Sequence, residues 1–178
     1  MVMNLTEELL RIRKVMGILK EEIDEISEPV KIYPNGEGSE NAEEYEGPIV
    51  TIRLDSTIPN EPFKDSDYMN KSLTVRKMLA KLKHGDKLPP IKVIEHPSDP
   101  TKYIVLDGHH RRFSLMNSGK KTIDAIIIPH KDVELISTSW GSDSGESVKL
   151  SDVKNDKSIV DRYFTQPDGS YHFEKSDN

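Results

Sequence analysis

Residues 88–128 read LPPIKVIEHPSDPTKYIVLDGHHRRFSLMNSGKKTIDAIII. At their centre lies Tyr103-Ile-Val-Leu-Asp107-Gly108-His109-His110-Arg111, an apolar strand that ends on an acid, a glycine and the start of a helix. Leu88-Pro89-Pro90 is a stiff extended approach. It leads into a strand over Ile91 to Glu95, a turn over Pro97 to Thr101 and a return strand over Lys102 to Leu106. His109 to Ser118 reads as a helix closed by Gly119. Ile123 to Ile128 is nearly uninterrupted apolar sequence, the pattern of a strand covered on both faces.

Further out, Ile49 to Leu54 predicts a short strand by its β-branched content. Ser56 to Tyr68 carries Pro59 and Pro62 and reads as a polar loop. Lys71 to Lys83 predicts a helix with Leu73, Val75, Met78, Leu79 and Leu82 as its apolar residues and Gly85 as its stop. Val133 to Ser137 predicts a further strand, and Ser151 to Phe164 one helix capped by Ser151, followed by a loose tail. Residues 33–48, YPNGEGSENAEEYEGP, have too little apolar surface to offset ordering entropy. They read as a flexible acidic linker. In residues 1–32, Leu5, Leu9, Ile12, Met16, Leu19, Ile23 and Ile26 alternate at steps of four and three, a heptad seam. Asn4 and Glu7 form its capping pair and Pro29 its stop. Such a seam packs on its own domain or pairs with a second copy or partner helix. The expected division is an N-terminal amphipathic helix (1–32), the linker (33–48), a core domain (49–141) and a C-terminal extension (142–178).

The chemistry concentrates at the strand-to-helix junction. Gly108 lets the backbone turn tightly or approach a ligand. The first helical turn offers unsatisfied N–H groups and the positive end of the helix dipole. A cation in that turn opposes the dipole, so Arg111 fits best if an anion such as a phosphate sits there. Asp-Gly is also an ordinary turn, and the histidines could serve as caps. His109 and His110 point about 100° apart on a helix and cannot chelate one ion as an i, i+4 pair does.

Residues 88–128 resemble the ParB/sulfiredoxin superfamily, in which a PPI-strand, a turn, a strand, a (D)G-x-H/R-R string, a helix, a glycine and a buried strand follow one another. The resemblance implies an α+β fold: a small mixed sheet with flanking helices, here with an added N-terminal amphipathic helix. Sulfiredoxins carry a cysteine in this string. The chain has His109 there and no cysteine, so sulfinic-acid reduction by that mechanism is excluded. Plasmid-partition ParB proteins usually have Glu-Arg-Arg there. The Asp-Gly-His-His-Arg version most resembles archaeal ADP-dependent free-serine kinases.

That resemblance implies roles. Glu61, in Ile52-Arg-Leu-Asp55-Ser-Thr-Ile-Pro59-Asn60-Glu61, inherits the catalytic glutamate. Asp107 matches the motif acid, which would orient the substrate hydroxyl or hold Mg²⁺. Gly108, His109, His110 and Arg111 match the phosphate-contacting string. Ser139-Trp140 resembles a Thr-Trp pair, so Trp140 would bind the small substrate. The implied ligands are ADP or ATP, Mg²⁺ and a small hydroxyl compound. Two alternatives stand beside a phosphotransferase: a ParB-like nucleic-acid-binding or nuclease module, and a nucleotide-responsive interaction protein. Lys71, Arg76, Lys77, Lys81, Lys83 and Lys87, with Arg111, Arg112, Lys120 and Lys121, are either a phosphate-facing patch or solvated faces.

Composition sets the outer limits. The 178 residues make one ordinary domain, or one with an appendage. Hydrophobic residues are 34% and charged residues 31%, which predicts exposed helix or loose segments beside a core. The absence of cysteine rules out a disulfide scaffold, a cysteine-ligated zinc site and thiolate catalysis. No apolar run is long enough for a membrane span, and no apolar leader opens the chain, so a cytoplasmic protein is expected. A net charge of −6 disfavours a protein that lives on nucleic acid, without excluding a local basic patch.

Overall fold

The computed structural model describes residues 28–61, 66–141 and 145–171, with the backbone alone for 66–68. The heptad seam and the pairing it would support lie outside the described residues. In chain order the elements are β1 (Val30–Ile32), β2 (Ser39–Glu40), β3 (Ile49–Arg53), β4 (Thr57–Pro59), α1 (Ser66–Lys71), α2 (Leu73–Lys83), β5 (Ile91–His96) and β6 (Asp99–Asp107). They continue with α3 (His109–Asn117), β7 (Thr122–Ile127), β8 (Val133–Ile136), β9 (Ser147–Lys149), α4 (Leu150–Val153) and α5 (Lys157–Tyr163).

The class is α+β, with mixed sheets and flanking helices. A five-stranded sheet runs β3-β7-β5-β6-β4. Its β5–β6 hairpin is antiparallel, as the Pro97–Thr101 turn predicts, and β7 joins β5 in parallel. The short β4 joins β6 in parallel, with Pro59 opposite Val105. Pro59 has no N–H to give, and it stands on an edge strand, where a ladder tolerates that loss. β4 was expected to be loop: three residues carry too little pattern to register as a strand. A second sheet, β2-β1-β8-β9, pairs β1 with β8 in parallel, Ile32 opposite Leu135.

The five-stranded sheet is covered on both faces, which is why its central strands are apolar almost throughout. Ile52, Ile91, Val93, Val105, Ile123 and Ala125 form one cluster, against which Leu115 of α3 packs. Ile94, Ile104, Leu106 and Ile128 point the other way. They meet Val30, Ile32, Val133 and Leu135 of the second sheet and Leu150, Val160 and Phe164 of the C-terminal helices. β7 is less uniform than its sequence predicts: Asp124 is exposed and accepts a hydrogen bond from Thr51 Oγ1 at 2.8 Å.

Residues 33–48, expected to be a flexible linker, hold β2 and a 3-10 turn at Pro34–Gly36. They bury Tyr33 and Ala42. Their few apolar side chains are enough because the rest of the core is already there to receive them. The single helix expected over 151–164 is two, α4 and α5. Asp156 ends the gap between them by accepting from the amides of Ser158 and Ile159. The tail expected to be loose from residue 165 begins with Thr165 and Gln166, both buried.

Candidate functional site

Parallel pairing brings distant residues to one place. β4 and β6 end on the same side of the sheet, so two residues past the Pro59–Val105 pair Glu61 comes beside Asp107. β6 then turns at Gly108 into α3. Gly108 has φ 100° and ψ 25°, a left-handed conformation that favours glycine. A Cβ there would lie 2.5 Å from Ile91 Cγ2. The turn and the contact with β5 together require glycine. The first-turn amides of α3 point out of the helix N-terminus.

β1 and β8 likewise end on one side. Tyr33 follows β1 and Trp140 follows β8, and their rings meet with centroids 5.0 Å apart, tilted by 53°. The Trp140 amide donates to Glu37 Oε2 at 2.7 Å. Gly38 lies under the indole, where a Cβ would approach Cζ3 to 2.8 Å. Ser39 Oγ donates to the Leu106 carbonyl at 3.2 Å and ties this segment to the end of β6.

Between these strand ends lies a cavity of about 560 Å³. Every residue singled out by sequence lines it: Glu61, Asp107, Gly108, His109, His110, Arg111 and Trp140. His109 is 7% exposed, and its Nδ1 lies 3.8 Å from Glu61 Oε1. Trp140 is half exposed at the mouth.

Arg111 lines the cavity with its guanidinium already engaged. Its Nη2 donates to Asp107 Oδ2 at 2.5 Å and its Nη1 to the Pro90 carbonyl at 2.6 Å. The guanidinium therefore braces the Asp107–Gly108 turn, and the i, i+4 pair removes the need for an outside anion to explain a cation in this turn. Asp107 is correspondingly engaged as an ion-pair partner. Among the described residues no group of three histidine, aspartate or glutamate side chains is placed to hold a metal ion. Asp107, the residue expected to hold Mg²⁺ beside the phosphates, is here paired with Arg111.

Arg112, counted with the basic patch, also faces inward. Its Nε donates to Thr57 Oγ1 at 2.7 Å and its Nη2 to the Thr57 carbonyl at 2.8 Å. Burial pulls its pKa below the usual arginine value, and the nearby Tyr171 phenol opposes that pull. Lys71, Arg76, Lys77, Lys81, Lys83 and Lys87 remain exposed.

Sequence reasoning missed one wall. Glu40, Asn41, Ala42, Glu43 and Glu44 line the same cavity as the histidines. Glu40 faces Lys31 at 3.8 Å and bonds Tyr33, whose phenol is pushed above its usual pKa first by burial and then by this carboxylate. Lys92, 8% exposed, closes the segment by donating to the Tyr45 carbonyl, and burial lowers its pKa. The available signal was the apolar alternation Val30-Lys31-Ile32 running into Tyr33-Pro-Asn-Gly36, a strand leading into a turn.

No family model and no curated protein matches the chain. Among solved structures, a conserved hypothetical protein from Pyrococcus furiosus is 23% identical over 49% of this chain and 35% of its own, with a TM-score of 0.40. A free serine kinase variant in complex with ADP is 21% identical over 47% of this chain and 32% of its own, with a TM-score of 0.38. The C-terminally truncated chromosome-partitioning protein ParB from Caulobacter crescentus, complexed with CTP-gamma-S, is 16% identical over 47% of this chain and 45% of its own, with a TM-score of 0.39. The chain thus spans between about a third and a half of each of these structures.

Proposed function

We propose that the chain is a nucleotide-binding phosphotransferase that moves a phosphoryl group from ADP or ATP to a small alcohol. The observation that carries this reading is the cavity in which Glu61, the Gly108–His110 turn and Trp140, drawn from three separate segments, face one another. A volume of about 560 Å³ suits a nucleotide and a small acceptor. The phosphates lie at the α3 N-terminus, where amides and His109 meet their charge. The acceptor lies between Glu61 and Trp140. Glu61 takes the hydroxyl proton as the acceptor oxygen bonds to the terminal phosphorus. The bond from that phosphorus to the bridging oxygen breaks, and AMP leaves from ADP, or ADP from ATP. Asp107 and Arg111 serve this step indirectly, by fixing the turn.

The test is calorimetric titration of ADP and of ATP, then turnover with L-serine as the acceptor probe, for wild type and Glu61→Gln. The reading expects nucleotide affinity within about twofold in the variant and turnover lowered by about 100-fold or more, the span of general-base catalysis. Binding of neither nucleotide by wild type sinks it.

A nucleic-acid-binding module is a second reading, supported by the exposed cations of α1 and α2 and the sequence around them. Its mark is an affinity for DNA that falls steeply with salt and with Lys77→Gln and Lys81→Gln. The inward-facing Arg111 and Arg112 count against it.

A further inference from the structure

Glu61 sits two residues past a three-residue edge strand, a weak support for a group that must be placed to within a fraction of an ångström. The neighbouring side chain supplies what the strand lacks. Asn60 is 2% exposed, and both ends of its amide are engaged by the C-terminal segment. Nδ2 donates to the Tyr163 carbonyl at 3.3 Å, and Oδ1 accepts from the Thr165 amide at 3.3 Å. Thr165 is fully buried and its other polar groups are also engaged. Its Oγ1 donates to the Pro59 carbonyl at 3.0 Å, and its carbonyl meets His96 Nε2 at 2.8 Å. Pro59 and Asn60, the two residues before Glu61, are thus stitched to residues more than 100 positions later.

We infer that Asn60 is a positioning residue, and that the segment Tyr163–Thr165 is a latch that sets Glu61 opposite His109. This rests on the proposed role of Glu61 as base. The latch touches no part of the cavity: neither Asn60 nor Thr165 lines it. Loosening it should therefore slow the chemical step and leave nucleotide binding alone.

The experiment compares full-length wild type, Asn60→Ala, Thr165→Val and Thr165→Ser. Thr165→Val removes the bond to Pro59 at nearly constant volume, and Thr165→Ser keeps it. The expected kcat falls about 10- to 100-fold in Asn60→Ala, the scale of a small misplacement. It falls about 3- to 10-fold in Thr165→Val and stays within about twofold in Thr165→Ser, with KM and ADP affinity unchanged throughout. Should Asn60→Ala fail to fold, the valine and serine pair carries the test. Amide hydrogen exchange gives a readout independent of activity: residues 55–61 should exchange faster in Thr165→Val and β5 should not. Unchanged kcat in folded variants, or loss of ADP affinity in step with kcat, overturns the latch. If wild type transfers no phosphate, the proposed function fails, and exchange at 55–61 alone decides the latch: faster exchange upholds it and unchanged exchange ends it.

Discussion

The two parallel strand pairs do the same work with very different visibility. β4 with β6 and β1 with β8 each deliver two chain ends to one side of the molecule, and the cavity lies where those ends meet. One pair rests on β6, whose nine residues run into the Asp-Gly turn. The other is built from strands of three and four residues, and nothing near them in sequence announces a partner. A site can therefore be half written in a local motif and half written in the burial of scattered side chains.

Breaking each half separately tests this. The largest effect is expected from Phe164→Ala. Phe164 is fully buried in the cluster that joins the second sheet to the C-terminal helices, and its loss should cost about 3–5 kcal/mol in urea denaturation. Trp140 is the only tryptophan, so its native emission should shift as the Tyr33 contact loosens. An unshifted emission would mean that the β1–β8 side stands without this support. Gly108→Ala comes next, at about 2–4 kcal/mol, because it adds left-handed strain to a clash with Ile91. Here the native Trp140 emission should stay unchanged, which separates the two halves in one spectrum.

The smallest effect is a pH dependence at the latch. His96 is 2% exposed; burial pushes its pKa down, and the Thr165 carbonyl, Asp99 and Asp161 oppose this while His130 adds to it. Its Nδ1 accepts the Ser98 amide at 3.0 Å, so Nε2 carries the proton given to Thr165. The native state therefore takes up a second proton, at Nδ1, less readily than the unfolded chain does. The stabilisation is complete above the unfolded value of about 6.5 and declines as pH falls below it toward the lowered native pKa. Urea midpoints at pH 7.5 and 5.5 should fall further apart in wild type than in His96→Gln. Equal gaps would remove His96 from the account.

Four strands of the five-stranded sheet, β3, β5, β6 and β7, are legible because their signals are local. The Pro97–Thr101 turn, the β-branched runs and the glycines at 108 and 119 each act within a few residues. Glu61 and Trp140 are singled out by a resemblance of short strings, and the register of β4 on β6 brings Glu61 beside Asp107. The wall at 39–44 is hidden by its own composition: its glutamates line the cavity, and the ordering of the segment rests on few apolar side chains, among them Tyr33, Ala42 and Tyr45. The sequence offers Arg111 as a phosphate contact and Arg111 with Arg112 as part of a basic patch or a solvated face, because it does not reveal that Asp107, Pro90 and Thr57 engage them. The split of the last helix was readable in principle from Asp156 followed by Ser158, a helix start inside a helical pattern.

Val30 pairs with Val133, and that distance along the chain has a consequence for synthesis. A ribosome adding about 5–20 residues per second needs about 5–20 s to travel between them. For that interval Val30 and Ile32 lack the β8 strand that pairs with them, while the β5–β6 hairpin can already close. Closing so long a loop is slow as well as late. The cavity therefore waits for β8, and a chain arrested before it would carry the Asp-Gly-His-His-Arg string without the Trp140 side of the cavity.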